Sequence, residues 1–116
     1  MTDNPYIQFL KLSQALTDKE IGQELDTTAI KFLELITISH AKDKQLTVSE
    51  AMALSYIGSP ATMHRKIDLL RKQGWIDLVH KGEDRRTKYL APTAKAHKYF
   101  DSLSKLMAKT WVKAKP

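Results

Sequence analysis

Apolar residues recur every three or four positions in five stretches of the chain, which is the spacing of helices that bury one face. The stretches cover about residues 4–16, 27–41, 47–54, 59–73 and 93–112. The fourth has the clearest limits, because Ser59 is a favourable N-cap, a proline follows it, and Gly74 can end the helix. The pattern therefore predicts a helix whose buried face carries Met63, Ile67 and Leu70.

After Gly74 the pattern changes to the alternation of strands. Residues 75–80 read as a strand, residues 81–84 as a turn and residues 87–91 as a returning strand, and Pro92 ends the pairing. Leu46 stands alone after a charged turn and predicts a short strand. The predicted fold is mainly α with a small antiparallel β-wing: a winged helix-turn-helix (α+β) flanked by N- and C-terminal helices.

Cysteine is absent from the sequence, which excludes disulfides and thiolate zinc sites and is compatible with a reducing cytoplasm. No apolar run approaches the roughly 20 residues of a membrane span. The polar, acidic start of the chain lacks the features of a secretory signal. We therefore expect a cytoplasmic, nucleoid-associated protein with no membrane contact.

Charge is divided unevenly along the chain. Residues 1–58 contain 5 Lys and Arg against 8 Asp and Glu, a net charge of −3, whereas residues 59–116 contain 14 against 5, a net charge of +9. Such an asymmetry indicates either a half that binds a polyanion or an ordinary surface rich in lysine. Charge alone leaves both interpretations open.

The helix that begins at Ser59 has the features of a recognition helix. Burial of its apolar face turns a polar face outward, and the N-terminal residues of such a helix lead into the major groove of DNA. Arg65 is the best candidate for reading a base, because its planar fork matches guanine, and Lys66 suits a phosphate. The candidate contacts on this helix are Ser59, Ala61, Thr62, His64, Arg65 and Lys66.

The wing adds a second cationic element. Lys81, Arg85 and Arg86 surround the predicted turn and can enter a minor groove, where negative potential is concentrated. Asp84 lies among them, and we expect it to hold an arginine side chain through a charge-assisted hydrogen bond. An ordinary charged hairpin turn is the alternative.

Several segments together resemble the DNA-binding core of MarR-type regulators over about residues 27–97. They are residues 46–51 (LTVSEA), 59–65 (SPATMHR), 74–76 (GWI) and 84–86 (DRR). The resemblance implies that the recognition helix touches DNA through Ser59, Thr62, His64 and Arg65. It also implies an Asp-x-Arg wing motif in which Arg86 enters the minor groove and Asp84 orients it. His64 stands where a smaller Ser or Thr is more usual in the family.

The flanking helices lie outside a minimal winged helix. We expect one domain over residues 1–116, with the helices at about 4–16 and 93–112 as dimerisation elements. Their apolar faces complete the core of the same chain or pair with a second copy. The candidate interface residues are Tyr6, Phe9, Tyr99, Phe100, Leu103, Met107 and Trp111.

Chemistry beyond binding has no support in the sequence. The four histidines lack the spacing of metal ligands, and we expect no metal and no cofactor. There is no glycine-rich phosphate loop and no supported catalytic group, so an enzyme is not expected. We predict a DNA-binding transcriptional regulator acting as a homodimer, whose small-molecule effector, if any, is unknown. The alternatives are a plasmid, phage or chromosomal replication or architectural factor and a winged-helix protein-interaction module.

Overall fold

The computed structural model describes residues 4–114, which form two compact units. One unit comprises residues 25–96, and the other comprises the described residues up to 24 together with those from 97 onward. The elements are α1 (Pro5–Glu20), α2 (Thr27–Ala41), α3 (Val48–Met52), α4 (Pro60–Lys72), β1 (Ile76–Lys81), β2 (Asp84–Pro92) and α5 (Ala94–Ala114). None of the helices within residues 4–114 is long and apolar enough to cross a membrane.

Local sequence determines where the helices of the 25–96 unit begin. The side chain of Asp26 accepts from the backbone N–H of Ala29 at 2.8 Å and caps α2. Thr47 and Glu50 form a reciprocal capping box at α3. Each cap satisfies backbone N–H groups that lack a partner inside the helix. The predicted start of α2 is confirmed.

The end of α4 is set by Gly74. Its φ of +82° lies in the left-handed region, which residues with a Cβ rarely adopt. The backbone N–H of Trp75 then donates to Leu70 O at 2.8 Å, and that of Gly74 donates to Arg71 O at 3.0 Å. These two bonds are a Schellman motif, and they turn the chain from helix into β1.

The wing is a two-stranded antiparallel hairpin formed by β1 and β2, in which Leu78 pairs with Leu90. A register shift interrupts the pairing between Val79 and Lys81. The hairpin tip consists of residues 82 and 83, because Lys81 already pairs with Asp84. β2 therefore begins three residues earlier than the sequence predicts, and residues 84–86 belong to a strand rather than to a turn and loop.

A single bridge joins the segment before α3 to the hairpin. Thr47 is the bridge partner of Tyr89, and the backbone N–H of Leu90 donates to Leu46 O at 2.8 Å. The short strand predicted at Leu46 is therefore present only as an isolated bridge at the next residue, Thr47. The bridge also places the N-cap of α3, Thr47, beside the wing strand.

The core of the 25–96 unit gathers apolar residues from α2, α4 and the hairpin. Burial of Met63, Ile67 and Leu70 confirms the predicted inner face of α4. The largest fully buried side chains of this unit are Trp75, Phe32, Leu33, Ile36, Met63, Leu70, Ile76 and Leu90. With this face buried, the opposite side of α4 is left exposed to solvent.

The other unit contains α1 and most of α5. Asn4 caps α1 by accepting from the backbone N–H groups of Tyr6 and Ile7, as its position before a proline predicts. α1 extends to Glu20, past the predicted end near residue 16, so residues 17–20 are also helical. One reason is tertiary: the Thr17 hydroxyl bonds the Tyr99 hydroxyl at 2.7 Å.

Candidate nucleic-acid interface

The N-terminal turn of α4 carries a short chain of hydrogen bonds. Ser59 Oγ accepts from the backbone N–H of Thr62 at 3.2 Å and donates to Thr62 Oγ1 at 3.0 Å. Arg65 Nη2 donates to the same Thr62 oxygen at 3.2 Å. A guanidinium has five N–H donors, so this contact orients the Arg65 head and leaves other donors for a ligand.

Gly58 lies under this network and was not singled out from the sequence. A Cβ built on Gly58 would come within 2.9 Å of Thr62 Cγ2 and 3.1 Å of Thr62 Cβ. Thr62 is branched at Cβ and has few alternative rotamers. A residue without a side chain is therefore needed at position 58 if Thr62 is to keep its place.

His64 and Asp68 form a second pair on α4, one turn apart. His64 Nδ1 lies 3.2 Å from Asp68 Oδ2, and both side chains are more than half exposed. They line a cleft of about 410 Å³ that also contains Arg71 of α4 and Arg86 and Lys88 of β2. Three cationic residues thus line the cleft between α4 and β2.

Lys66 has a partner inside the chain. Its Nζ lies 3.0 Å and 3.2 Å from the two carboxylate oxygens of Asp26, and its side chain is only 14% exposed. The backbone N–H of Ala29 and, second, the hydrogen bond from Lys66 lower the pKa of Asp26. The sequence assigned Lys66 to a DNA phosphate. In the structure, Lys66 joins α4 to the start of α2, a contact between positions 40 residues apart that local sequence does not reveal.

The wing presents a row of exposed charged residues. Asp84 Oδ1 accepts from the backbone N–H of Arg86 at 2.9 Å. This bond and, second, a hydrogen bond from the Thr87 side chain hold the pKa of Asp84 below its ordinary value. Asp84 was expected to hold an arginine side chain, but its bond goes to the main chain of Arg86. An Asp side chain commonly bonds the N–H two residues on, and this shapes the strand that carries the arginine.

Two further contacts stiffen the hairpin. Lys81 Nζ lies 4.7 Å from the centroid of the Tyr89 ring, a cation–π contact across the strands. His80 Nδ1 lies 3.0 Å from Thr87 O at the register shift, a contact that the sequence analysis missed. The register shift could not be foreseen, because strand alternation gives no sign of an unpaired residue.

The candidate DNA-binding residues fall into groups within the 25–96 unit. Exposed side chains are those of Ser59, Ala61, His64, Arg65, Lys81, Asp84, Arg85 and Arg86, while Thr62 is partly buried beneath Arg65. No cluster of three or more His, Cys, Asp or Glu suited to a metal occurs among residues 4–114. Exposed polar and cationic side chains thus lie on both α4 and the hairpin.

The candidate dimer residues differ in exposure. Tyr6, Met107 and Trp111 are exposed, with Trp111 at 59%. Three of the candidates are half-buried, namely Phe9, Phe100 and Leu103, whereas Tyr99 is only 4% exposed. The Tyr99 hydroxyl bonds Thr17, and its ring lies 5.3 Å from that of Phe100, so Tyr99 packs within the chain. Ile7 and Val112 are exposed apolar residues that the sequence analysis did not select.

Sequence comparison finds no relative: no protein-family model matches the chain, and no curated protein sequence does. Solved structures do match. The chain is similar to MarR, with 18% identity, a TM-score of 0.55, and coverage of 90% of this chain and 74% of MarR. It is also similar to NadR in complex with 4-hydroxyphenylacetate, with 15% identity, a TM-score of 0.53, and coverage of 97% and 78%.

A third similar structure is that of a MarR family transcriptional regulator from Streptomyces coelicolor in complex with DNA. It shares 14% identity with a TM-score of 0.53, and the match covers 94% of this chain and 70% of that one. At such identities the likeness concerns the fold. It confirms the mainly helical winged-helix architecture with a two-stranded wing and the predicted resemblance to the MarR-type fold.

Proposed function

We propose that this protein is a sequence-specific, double-stranded-DNA-binding transcriptional regulator of the MarR type that acts as a homodimer. In this proposal, α4 enters a major groove and the β1–β2 wing enters the adjacent minor groove. The observation that carries it is the bond between Arg65 and Thr62 at the exposed N-terminal end of α4. An arginine fork oriented in this position suits the edge of a guanine, which offers two acceptors in the major groove.

The wing supports the same surface. Arg85 and Arg86 are exposed on a strand that Asp84 shapes through the Arg86 main chain. Arginine side chains are favoured in narrow minor grooves, where the potential is most negative. Lys81 completes the cationic edge of the hairpin, and we assign Arg86 to the minor groove and Lys81 and Arg85 to neighbouring phosphates.

The other exposed side chains near the start of α4 have separate roles in the proposed contact with DNA. Ala61 is small and allows close approach, Ser59 lies at the positive end of the helix and suits a phosphate, and His64 faces the groove beside Arg65. Lys66 is left out of the proposed contacts because Asp26 holds it. One similar structure is that of a MarR family regulator bound to DNA, and this favours a DNA duplex as the ligand.

Dimerisation would use the apolar residues that α1 and α5 leave exposed. Tyr6, Met107 and Trp111 belong to this set, together with Ile7 and Val112. Large exposed apolar residues in neighbouring elements are typical of interaction sites. A dimer would also double the contact with DNA, since one winged helix covers only a half-site.

The test is selection of bound duplexes from a randomised library, followed by affinity measurements over a range of salt concentrations. We expect enrichment of a sequence with two-fold symmetry and an affinity that falls as salt rises, because bound phosphates release counterions. Promoter fragments recovered from a genome would support regulation, and origins would support the replication alternative. Failure to retain any duplex at low salt would contradict the proposal and favour a protein-interaction module.

A further inference from the structure

The pair formed by His64 and Asp68 gives α4 a second feature that can read a base. His64 Nδ1 lies 3.2 Å from Asp68 Oδ2, with side-chain exposures of 63% and 59%. Residues four apart lie on one face of a helix, so the pair needs no other element to form. The ring is open to a ligand while one of its nitrogens is engaged.

The carboxylate determines which nitrogen of His64 carries the proton. An ionised carboxylate only accepts, so Nδ1 must be the donor. In a neutral imidazole the other nitrogen, Nε2, is then an acceptor, whereas in the charged ring it is a donor. While Asp68 accepts from Nδ1, the charge of the ring alone determines whether Nε2 accepts or donates a hydrogen bond.

We propose that Asp68 is a positioning residue that makes His64 a proton-dependent reader of one base pair. The inference rests on the proposed function. With the ring neutral, Nε2 selects a base that offers a donor in the major groove, the N6 amino group of adenine or the N4 amino group of cytosine. With the ring charged, Nε2–H selects a base that offers an acceptor, which guanine (N7 and O6), thymine (O4) and adenine (N7) do and cytosine does not.

The charged groups that line the cleft together with His64 are Asp68 and Arg71 on α4 and Arg86 and Lys88 on β2. Thr47, the N-cap of α3, and Val48 and Ser49 of α3 add neutral groups to the cleft. Histidine is the side chain whose charge ordinarily changes between about pH 5 and pH 8, so selections at the two ends of that range test the proposal.

Arg65 provides a comparison on the same helix. Its guanidinium stays charged over this range and can only donate. The base position that Arg65 reads is therefore expected to keep its preference at every pH tested. The position that His64 reads is expected to change.

The experiment selects duplexes from a randomised library with the full-length protein at about pH 8 and at about pH 5.5. The position read by His64 is the one whose preference is lost in His64→Ala. At the higher pH we expect cytosine, which offers only a donor, to be favoured over guanine and thymine, which offer only acceptors; at the lower pH we expect the reverse. The change should be roughly fivefold in relative affinity, as for one hydrogen bond made or lost.

Variants of Asp68 separate positioning from general effects. Asp68→Glu keeps a carboxylate and should retain the switch. Asp68→Asn has nearly the same shape, but its amide can accept from Nδ1 or donate to it, so either tautomer of His64 is allowed. The base preference at this position should then fall below twofold, well short of the change expected for one hydrogen bond. Glu34→Gln on α2 removes an equal exposed charge elsewhere and should leave the switch unchanged.

Failure of the inference and failure of the proposed function differ in their results. If the wild-type protein retains no duplex, the proposed function fails. If it binds a defined sequence but the preference at the His64 position is the same at both pH values, or the same in Asp68→Asn as in the wild type, the inference is overturned and the proposed function stands. Circular dichroism of each variant confirms that it is folded.

Discussion

Arg65 donates from Nη2 to Thr62 Oγ1, one turn earlier on α4, at 3.2 Å. Thr62 is itself held by Ser59, the N-cap of the same helix. The residue that starts the helix thus also restrains the head group of the proposed base-reading arginine. Restraint before binding reduces the entropy lost when a contact forms.

Replacing Arg65 by alanine is expected to weaken binding to the selected duplex by about 1–3 kcal/mol and to relax the preference at one base pair. The cause is loss of a bidentate contact that distinguishes guanine. Fluorescence anisotropy with the selected site and with single-base variants measures both effects. Lys72→Ala, in the last turn of α4, removes the same charge and should leave the preference intact.

Arg86→Ala tests the wing. We expect weaker binding with little change in preference at the major-groove positions, because a minor groove distinguishes bases less well. The slope of log affinity against log salt should fall by about one if a phosphate contact is also lost. Relaxation at the same base pair as Arg65→Ala would contradict the division of roles between helix and wing.

Gly58→Ala tests the packing beneath the recognition helix. The added Cβ would lie 2.9 Å from Thr62 Cγ2, so Thr62 must move and its contact with Arg65 weakens. We expect a loss of specific affinity on the order of 1 kcal/mol, the typical contribution of one hydrogen bond. In the combined variant with Thr62→Ala the two losses should not add, because both act on the same contact. Additive losses would show that Gly58→Ala weakens DNA binding through something other than the contact between Thr62 and Arg65.

Asp26 stabilises the fold in two ways that substitution can separate. Asp26→Asn keeps the cap on Ala29 and loses the ion pair with Lys66, and should cost less than about 1 kcal/mol because Asp26 is largely exposed. Asp26→Ala loses the cap as well and should cost about 0.5–2 kcal/mol more. Urea denaturation measures both. Equal losses would exclude the cap as a stabilising contact.

The same carboxylate gives the stability a pH dependence. Its pKa is lowered in the folded chain from an ordinary value of 3.8, so the folded state holds fewer protons on Asp26 than the unfolded state does. Its contribution is therefore present above the ordinary value and is lost as pH falls below it through the lowered one. Compared with the wild type, Asp26→Asn should lose less stability on acidification over that range. A parallel decline in both proteins would contradict this assignment.

Trp111→Lys tests the proposed dimer. Trp111 is 59% exposed on α5, and a charge in an apolar interface would stay unpaired and favour the monomer. Light scattering should show a dimer for the wild type and a smaller mass for the variant. Ile38→Lys, at an exposed apolar residue of α2, is the matched control and should leave the mass unchanged. A monomeric wild type would remove the dimer from the proposal.

Local sequence was sufficient to predict the order of the helices and the hairpin and the caps of several helices, but not the end of α1 or the start of β2. The caps at Asn4, Asp26 and Ser59 and the stop at Gly74 use bonds between residues at most a few positions apart. The buried face of α4 follows from the spacing of its apolar residues. Such features are predictable because each depends on the conformation of one short segment.

Only part of the proposed site could be predicted from local sequence. The bond from Arg65 to Thr62 and the pair of His64 and Asp68 span three and four residues and arise from the helix itself. The partner of Lys66 could not be predicted from local sequence, because Asp26 lies 40 residues away and the two meet only when α4 packs against α2. The bond between Thr17 and Tyr99 spans 82 residues and likewise depends on packing.

The sequence by itself therefore determined the elements of this winged helix and the outward face of its recognition helix, since helix periodicity and capping are local. Only the tertiary structure decided which polar residues remain exposed on that face. It withdrew Lys66 into an ion pair with Asp26 and buried Tyr99. The physical reason is that a charged or aromatic side chain finds its partner by proximity in space, and proximity is set by packing across the whole unit.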